Sequence, residues 1–218
     1  MTLWEFFVKG GPLMWPLLGC SVVALAIIIE RLFALRQSKI IPKDLIEEVE
    51  RLTRMGRLSD IEQLLKRSSS PICPVIMMAI KNAGMRREII KDYMEEAGAS
   101  EAYSIERYID ILGIIAAIAP LLGFLGTVTG MLAAFQAVSI TGTHSSQLLA
   151  GGISEALITT VVGLAIGIPV FVAYRLLIAR SDYLVLEMEK TSARILEYLK
   201  GDEHEVQKDK KGQEDFGS

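Results

Sequence analysis

Three long apolar blocks constrain the fold of this chain more than any other feature of its sequence. They cover residues 13–35, 109–138 and 153–179, and each contains at most two charged side chains. Each block reaches the roughly 20 apolar residues that an α-helix needs to cross about 30 Å of hydrocarbon. No segment alternates polar and apolar residues for long enough to indicate a membrane barrel. The sequence therefore predicts an all-α integral membrane protein with three transmembrane helices.

Positively charged residues predict how these helices are oriented. Lys and Arg cluster after the first block, before the second and after the third, at Arg31, Arg36, Lys39, Lys43, Arg86, Arg87, Lys91, Arg107, Arg175 and Arg180. By the positive-inside rule, these ends of the helices lie in the cytoplasm. The connection 139–152 has His144 as its only ionisable residue, so we assign it to the outside. The N-terminus is expected outside and the C-terminus in the cytoplasm.

The segments between the blocks have distinct characters. Pro, Gly and Ser divide the region after the first block into short helices, and Ser59-Asp60-Ile61-Glu62 matches a capping box that predicts the start of one of them. Long helices are expected to extend from the second and third blocks into the cytoplasm. The tail mixes charges with Gly and has few apolar residues. We predict an outer interfacial helix at 1–12, a cytoplasmic helical region at 36–108, an outer loop at 139–152, a cytoplasmic helix at 180–200 and a disordered tail at 201–218.

Several functional classes find no support in the sequence. Its two cysteines, Cys20 and Cys73, are not spaced as a pair or as metal ligands, so neither a disulfide nor a metal site is expected. The chain contains no Gly-rich phosphate loop, no His-x-x-x-His pair and no Gly-x-Ser-x-Gly turn, and we predict that it is not an enzyme. A net charge of -3 without a basic stripe argues against a nucleic-acid partner.

One carboxylate stands out in the apolar region. Glu155 is the only acidic residue between Asp110 and Asp182, and a carboxylate at bilayer depth is costly unless it faces protein, water or a partner. Two hydroxyls, those of Thr159 and Thr160, follow it by four and five residues. These residues are candidates for an ion path. The alternatives are an interfacial charge at the end of the helix and threonines that only satisfy a backbone carbonyl one turn earlier.

Small residues follow one face of each of the last two blocks. Steps of three and four residues relate Ala116, Pro120, Gly123, Thr127, Gly130 and Ala134 in the second block, and Ala156, Thr160, Gly163 and Gly167 in the third. Such faces let helix backbones approach closely in lipid. Pro120 and Pro169 are expected to kink their helices and to free a backbone carbonyl. Tight packing of these helices is predicted, either within the chain or between copies.

Two long motifs give the chain a resemblance to a known family. The first is APLLGFLGTVTGM at 119–131, and the second is GISEALITTVVGLAIGIP at 152–169. In this order, and with three spans, they resemble the MotA/TolQ/ExbB proton channel family, and within it the ExbB/TolQ branch.

The resemblance implies a function, partners and residue roles. Several copies, five in this family, would surround the single membrane helices of two ExbD/TolR-type subunits in a central lumen, and an aspartate of that partner would carry the proton. Thr127 and Thr160 match the hydroxyls that face this aspartate, and Glu155 matches a glutamate near the outer pore. The implied protein is a subunit of a motor in the bacterial inner membrane. It is driven by the proton motive force, needs no cofactor, contacts lipid and works through a TonB/TolA-type protein on the outer membrane.

Two other functions stay open at this point. A flagellar-type stator subunit usually has a fourth span and a larger cytoplasmic domain, whereas hydropathy finds three spans here. A membrane scaffold that assembles through its small faces and conducts nothing would also fit the pattern of glycines. The sequence does not distinguish the ExbB role from the TolQ role, or proton from sodium coupling.

Overall fold

The computed structural model describes residues 10–141 and 146–214, with side chains at 10–139 and 150–201. Within these ranges the chain is helical and contains no strand, so the all-α prediction is confirmed. Most of the predicted interfacial helix at 1–12 lies outside the described residues, as does the centre of the predicted outer loop. The helices are α1 Met14–Ala34, α2 Gln37–Ile40, α3 Lys43–Arg54, α4 Leu58–Arg67, α5 Ile72–Lys81, α6 Arg87–Glu106, α7 Ile109–Thr141 and α8 Ser146–Glu214.

Three helical stretches among the described residues are long and apolar enough to cross a membrane, as predicted. They lie in Met14–Ala34, Arg87–Ser139 and Ala150–Gly201. At 1.5 Å per residue, the 21 residues of α1 extend about 30 Å, and the 33 residues of α7 extend about 50 Å. The helix α7 is therefore longer than the hydrocarbon it would cross, which requires tilt or extension beyond the bilayer.

Two of the predicted boundaries differ from the helices in the structure. Helix α7 continues to Thr141 and α8 begins at Ser146, so most of the segment 139–152 that we expected to be a loop is helical. Gln147, Leu148 and Ala150 are good helix formers, which favours this longer helix. At the other end, α8 continues to Glu214, although we expected a disordered tail from residue 201. That tail is rich in Glu, Lys and Gln, which also have high helix propensity.

The chain divides into two compact units. The first, called here the span unit, combines the N-terminal residues through Leu32 with Arg107–Ile178. The second, called here the polar unit, combines Phe33–Glu106 with the residues from Ala179 onward. The apolar blocks belong to the first unit and most of the charged residues to the second.

In the span unit, α1 packs against α7 and α8 through a small apolar core. Its buried members are Met14, Leu17 and Ala119, and Leu122, Val162 and Ile166 pack around them. At the other end of α1, the Arg31 guanidinium donates hydrogen bonds to the Glu30 carboxylate at 2.5 and 3.0 Å and lies 4.9 Å from the Tyr108 ring centroid. This cluster satisfies a buried cation where the apolar part of the helix ends.

In the polar unit, the turn between α3 and α4 has a clear physical cause. Gly56 has φ of +68°, and the amides of Gly56 and Arg57 donate to the carbonyls of Thr53 and Leu52, both at 3.0 Å. This pattern is a Schellman motif, in which a glycine at positive φ ends the helix. The predicted capping box is wrong, because α4 begins at Leu58, before Ser59, and has no side-chain cap.

The rest of the polar unit packs around the second half of α8. The Arg194 guanidinium pairs with the Glu50 carboxylate of α3 at 2.9 Å, and the Arg54 guanidinium lies 4.7 Å from the Tyr198 ring centroid. Large aliphatic side chains fill the interior between these contacts, among them Val49, Ile61, Leu65, Ile72, Ile76, Ile90, Leu184, Met188 and Ile195. The polar unit is therefore a helical bundle with an apolar core of its own.

Candidate functional site

Helices α7 and α8 approach each other at two facing glycines. A methyl group added at Gly163 would lie 2.7 Å from the Ala119 carbonyl oxygen and 2.9 Å from the Gly123 Cα. One added at Gly123 would lie 3.1 Å from the Thr160 Cα. Neither helix has room for a Cβ at this point, so backbone meets backbone, as small residues allow in lipid.

The close contact continues toward both ends of the helix pair. A methyl group at Gly130 would lie 2.9 Å from the Ala156 Cβ, and one at Gly167 would lie 2.7 Å from Cγ and Cδ of the Pro120 ring. The helix interface thus brings together Pro120, Gly123 and Gly130 of the predicted α7 face with Ala156, Gly163 and Gly167 of the predicted α8 face. Pro169, which we expected to kink α8, is exposed on another side of that helix.

The hydroxyl of Thr160 makes a hydrogen bond between the two helices. Its Oγ1 donates to the Gly123 carbonyl oxygen at 2.8 Å. In an α-helix that same carbonyl accepts the amide of the residue four positions later, so the Thr160 hydroxyl shares its acceptor with the backbone amide of Thr127. The Thr127 Oγ1 donates within α7 to the Phe124 carbonyl at 2.6 Å. Each hydroxyl donates its hydrogen bond to a backbone carbonyl, and the lone pairs of its oxygen can still accept a hydrogen bond.

Thr159 and Glu155 face a different neighbour, the turn that precedes α1. Thr159 is 1% exposed, and its Oγ1 donates to the Gly10 carbonyl oxygen at 2.7 Å while lying 3.0 Å from the carbonyl of Glu155. The Glu155 carboxylate lies beside Gly11, where an added methyl group would be 2.1 Å from Oε1. The four predicted polar residues therefore form two pairs, one at the contact of α7 with α8 and one at the N-terminal turn.

Sequence reasoning missed several glycines of this arrangement. Gly126 lies against Thr159, where an added methyl group would be 2.5 Å from Cγ2, and Gly10 and Gly11 receive the side chains of Thr159 and Glu155. Gly126 stands three residues after Gly123, so the step of three used for the small face could have found it. Nothing in the sequence relates Gly10 and Gly11 to residues about 145 positions later.

The chemistry available at this site is that of hydroxyls and carbonyls. Among the residues that the structure describes, no three His, Cys, Asp or Glu side chains lie together as a group that could hold a metal ion. Between Asp110 and Asp182, Glu155 is the only acidic residue, and it lies away from the contact of Thr160 with Gly123. Thr127 and Thr160 can accept a hydrogen bond from a protonated group, but a threonine hydroxyl does not itself bind or release a proton at neutral pH.

Comparison with known proteins gives a consistent result. The model of the MotA/TolQ/ExbB proton channel family matches residues 64–190, which include all of the α7 and α8 residues of the candidate site. The chain is 32% identical over 161 residues to the biopolymer transport protein ExbB-like 3 of Synechocystis sp., covering 73% of this chain and 77% of that protein. It is 28% identical over 196 residues to the biopolymer transport protein exbB1 of Vibrio cholerae, covering 88% and 86%. The Tol-Pal system protein TolQ of Haemophilus influenzae is 40% identical over 80 residues, which cover 37% of this chain and 35% of that protein.

Proposed function

The chain belongs to the MotA/TolQ/ExbB proton channel family, and on this premise we propose that it is a subunit of a motor driven by the proton motive force. With an ExbD/TolR-type partner, it would use proton flow to energise transport or envelope processes at the outer membrane. The names of the ExbB and TolQ relatives support this proposal.

The observation that carries the proposal is the Thr160 hydroxyl at the Gly123 carbonyl, which lies four residues before Thr127 in α7. The Thr160 hydroxyl donates to this carbonyl at 2.8 Å and retains lone pairs as acceptors. A protonated carboxylic acid is a donor that fits these acceptors. The family resemblance assigns the proton-carrying carboxylate to the partner helix, and we propose the same arrangement here, since Glu155 is the only acidic residue of this chain between Asp110 and Asp182. In this reading Thr127 and Thr160 line the path, and Glu155 lies near its outer mouth.

The apolar exterior of the span unit supports an assembly of several copies. Leu121, Phe124 and Phe135 of α7 are each more than 60% exposed, and Trp15 and Val22 of α1 are at least 60% exposed. Apolar surface of this extent needs lipid or other protein against it. We propose a homo-oligomer of five copies, in which α7 and α8 surround a lumen that holds the partner helices and α1 faces lipid.

The energy available is sufficient for a motor. One elementary charge that crosses a potential of 100 mV gains about 2.3 kcal/mol. Several protons would therefore drive a large rearrangement of the partner. We propose the bacterial inner membrane as the location, with the N-terminus outside and the C-terminus cytoplasmic, and a TonB/TolA-type protein as the recipient of the motion.

The experiment that tests the proposal measures proton uptake by vesicles that contain this chain and its ExbD/TolR-type partner. Thr160→Val keeps the shape of the side chain and removes the hydroxyl, so we expect uptake to fall at least about tenfold, equivalent to about 1.4 kcal/mol on the barrier. Glu155→Ala is expected to lower uptake as well.

Thr129→Val is the matched control for this experiment. The Thr129 hydroxyl donates to the Leu125 carbonyl of its own helix at 2.9 Å, so its loss removes a hydroxyl without touching the contact between the helices. Assembly with the partner is checked for every variant. Full uptake in both Thr160→Val and Glu155→Ala would remove the proposed path, and an assembled wild-type complex without uptake would favour a membrane scaffold.

A further inference from the structure

The turn before α1 is fixed to α8 by a buried hydrogen bond. The Thr159 hydroxyl donates to the Gly10 carbonyl at 2.7 Å, and the Thr159 side chain is almost completely enclosed. A methyl group added at Gly10 would lie 2.6 Å from both Cγ and Sδ of Met14 and 3.3 Å from Cγ2 of Ile158. The backbone of the turn is therefore held between the start of α1 and one face of α8.

Gly11 lies directly against the carboxylate of Glu155. Its φ is +74°, a conformation that side-chain-bearing residues rarely adopt. An added Cβ would lie 2.1 Å from Oε1 and 3.1 Å from the carboxyl carbon of Glu155, but 3.6 Å from its Cγ. The carboxylate thus occupies the space that a side chain at Gly11 would need, and the overlap is confined to the end of the glutamate.

We propose that the Gly10-Gly11 turn is the seat that positions the Glu155 carboxylate, and that Gly11 and Thr159 are positioning residues. Gly11 leaves the space in which the carboxylate lies, and Thr159 fixes the turn on α8. This inference rests on the proposed function, in which Glu155 lies near the outer mouth of the proton path. It also changes the predicted role of Thr159, whose hydroxyl holds the turn instead of lining the path.

The first test distinguishes a collision with the Glu155 carboxylate from the backbone strain that any side chain at positive φ causes. Gly56 has nearly the same φ as Gly11, +68°, but a methyl group there would have no neighbour within 4 Å. Gly56→Ala therefore reports the cost of a positive φ alone, which we expect to lower the thermal unfolding midpoint of the detergent-solubilised chain by about 4 °C. Gly11→Ala adds the collision with Glu155, but the atoms it meets lie at the end of a flexible side chain that can move aside at little cost, so we expect the midpoint to fall only slightly further. Equal shifts for the two variants would overturn the proposal.

Glu155→Asp provides the rescue. The shorter side chain would put its carboxyl carbon where the Glu155 Cγ now lies, 3.6 Å from the added Cβ, and a carboxylate oxygen near the present Cδ, 3.1 Å away, so most of the overlap at 2.1 Å is relieved. In the Glu155→Asp background, Gly11→Ala should therefore lower the midpoint no more than Gly56→Ala does in the same background. The carboxylate would not occupy the seat if Gly11→Ala lowered the midpoint beyond Gly56→Ala by the same amount in the wild-type and the Glu155→Asp backgrounds.

The second test asks whether the seat matters for proton uptake by the reconstituted complex. Gly11→Ala is expected to lower uptake about tenfold in the wild-type background, and less than about twofold in the Glu155→Asp background. Unchanged uptake in Gly11→Ala would overturn the positioning role. If the proposed function is wrong, proton uptake will not change in Glu155→Ala or Thr160→Val. The unfolding midpoints would still show, in that case, whether the carboxylate occupies the seat.

Discussion

At the scale of single residues, two threonine hydroxyls of the span unit donate to backbone carbonyls of a neighbouring segment. Thr160 donates to the carbonyl of Gly123, and Thr159 donates to that of Gly10. Both acceptors are glycines, because only a residue without a side chain lets a threonine of a neighbouring segment come within hydrogen-bond distance of its backbone here. The geometry explains why hydroxyls and glycines occur together in this chain.

The hydrogen bond of Thr160 should contribute little to stability. After Thr160→Val, the Gly123 carbonyl keeps the helical amide of Thr127 as a donor, so no buried acceptor loses every partner. We expect the free energy of unfolding to fall by about 0.6 kcal/mol and by no more than about 1.7 kcal/mol, the range for such bonds between membrane helices. Thermal unfolding in detergent measures this, with Thr129→Val as control. A loss above about 3 kcal/mol would mean that the threonine has a packing role, and reduced proton uptake could not then be assigned to its hydroxyl.

At the scale of helices, the distance between α7 and α8 is set by the absence of side chains. Gly123 and Gly163 face each other, and the Pro120 ring fills the space beside Gly167. Gly19 in α1 has no such constraint, because a methyl group there would meet no atom within 4 Å. The glycines of the α7–α8 interface therefore define helix spacing, whereas Gly19 does not.

Gly163→Ala tests this difference. The new methyl group would lie 2.7 Å from the Ala119 carbonyl oxygen, so the helices must move apart, and we expect a cost of about 1–3 kcal/mol in the free energy of unfolding. Gly19→Ala has open space and a helical backbone, and is expected to stabilise the chain by up to about 1 kcal/mol. Thermal unfolding of the two variants in the same detergent measures both effects. Stabilisation by Gly163→Ala would contradict the tight helix contact.

At the scale of the whole molecule, the span unit does not bury enough of its apolar surface to be complete by itself. Only 17%, 33% and 28% of the residues in the most apolar windows of the three candidate spans are buried. The polar unit, in contrast, has a core of aliphatic residues and a charged exterior. Lipid or other protein must cover what the span unit leaves exposed.

The native mass of the purified complex tests the proposed assembly. With a chain of 24.0 kDa, five copies give about 120 kDa before the partner is added. We expect mass spectrometry of the complex released from detergent to give five copies of this chain, and two ExbD/TolR-type chains when the partner is present. A stable complex of another stoichiometry would overturn the pentamer, and assembly without any partner-dependent proton uptake would favour a scaffold.

Much of the architecture could be predicted from the sequence, because the governing signals are local. The three apolar blocks gave the candidate spans, since crossing a bilayer requires about 20 consecutive apolar residues in any helix. The steps of three and four also identified Gly123, Gly130 and Gly163, since helical periodicity fixes which residues share a face. Exact helix ends were less predictable, as at Ser59, because several residues in a row have similar propensities.

The sequence by itself determined that the chain is helical and apolar enough to span a membrane, that small residues follow one face of its last two apolar blocks, and that it belongs to a proton channel family. Only the tertiary structure decided the partners of the polar side chains. It separated Thr160, at the contact of α7 with α8, from Thr159 and Glu155, at Gly10 and Gly11. The physical reason is that periodicity fixes the face of a helix on which a residue lies, whereas the neighbour across that face depends on how distant segments pack together.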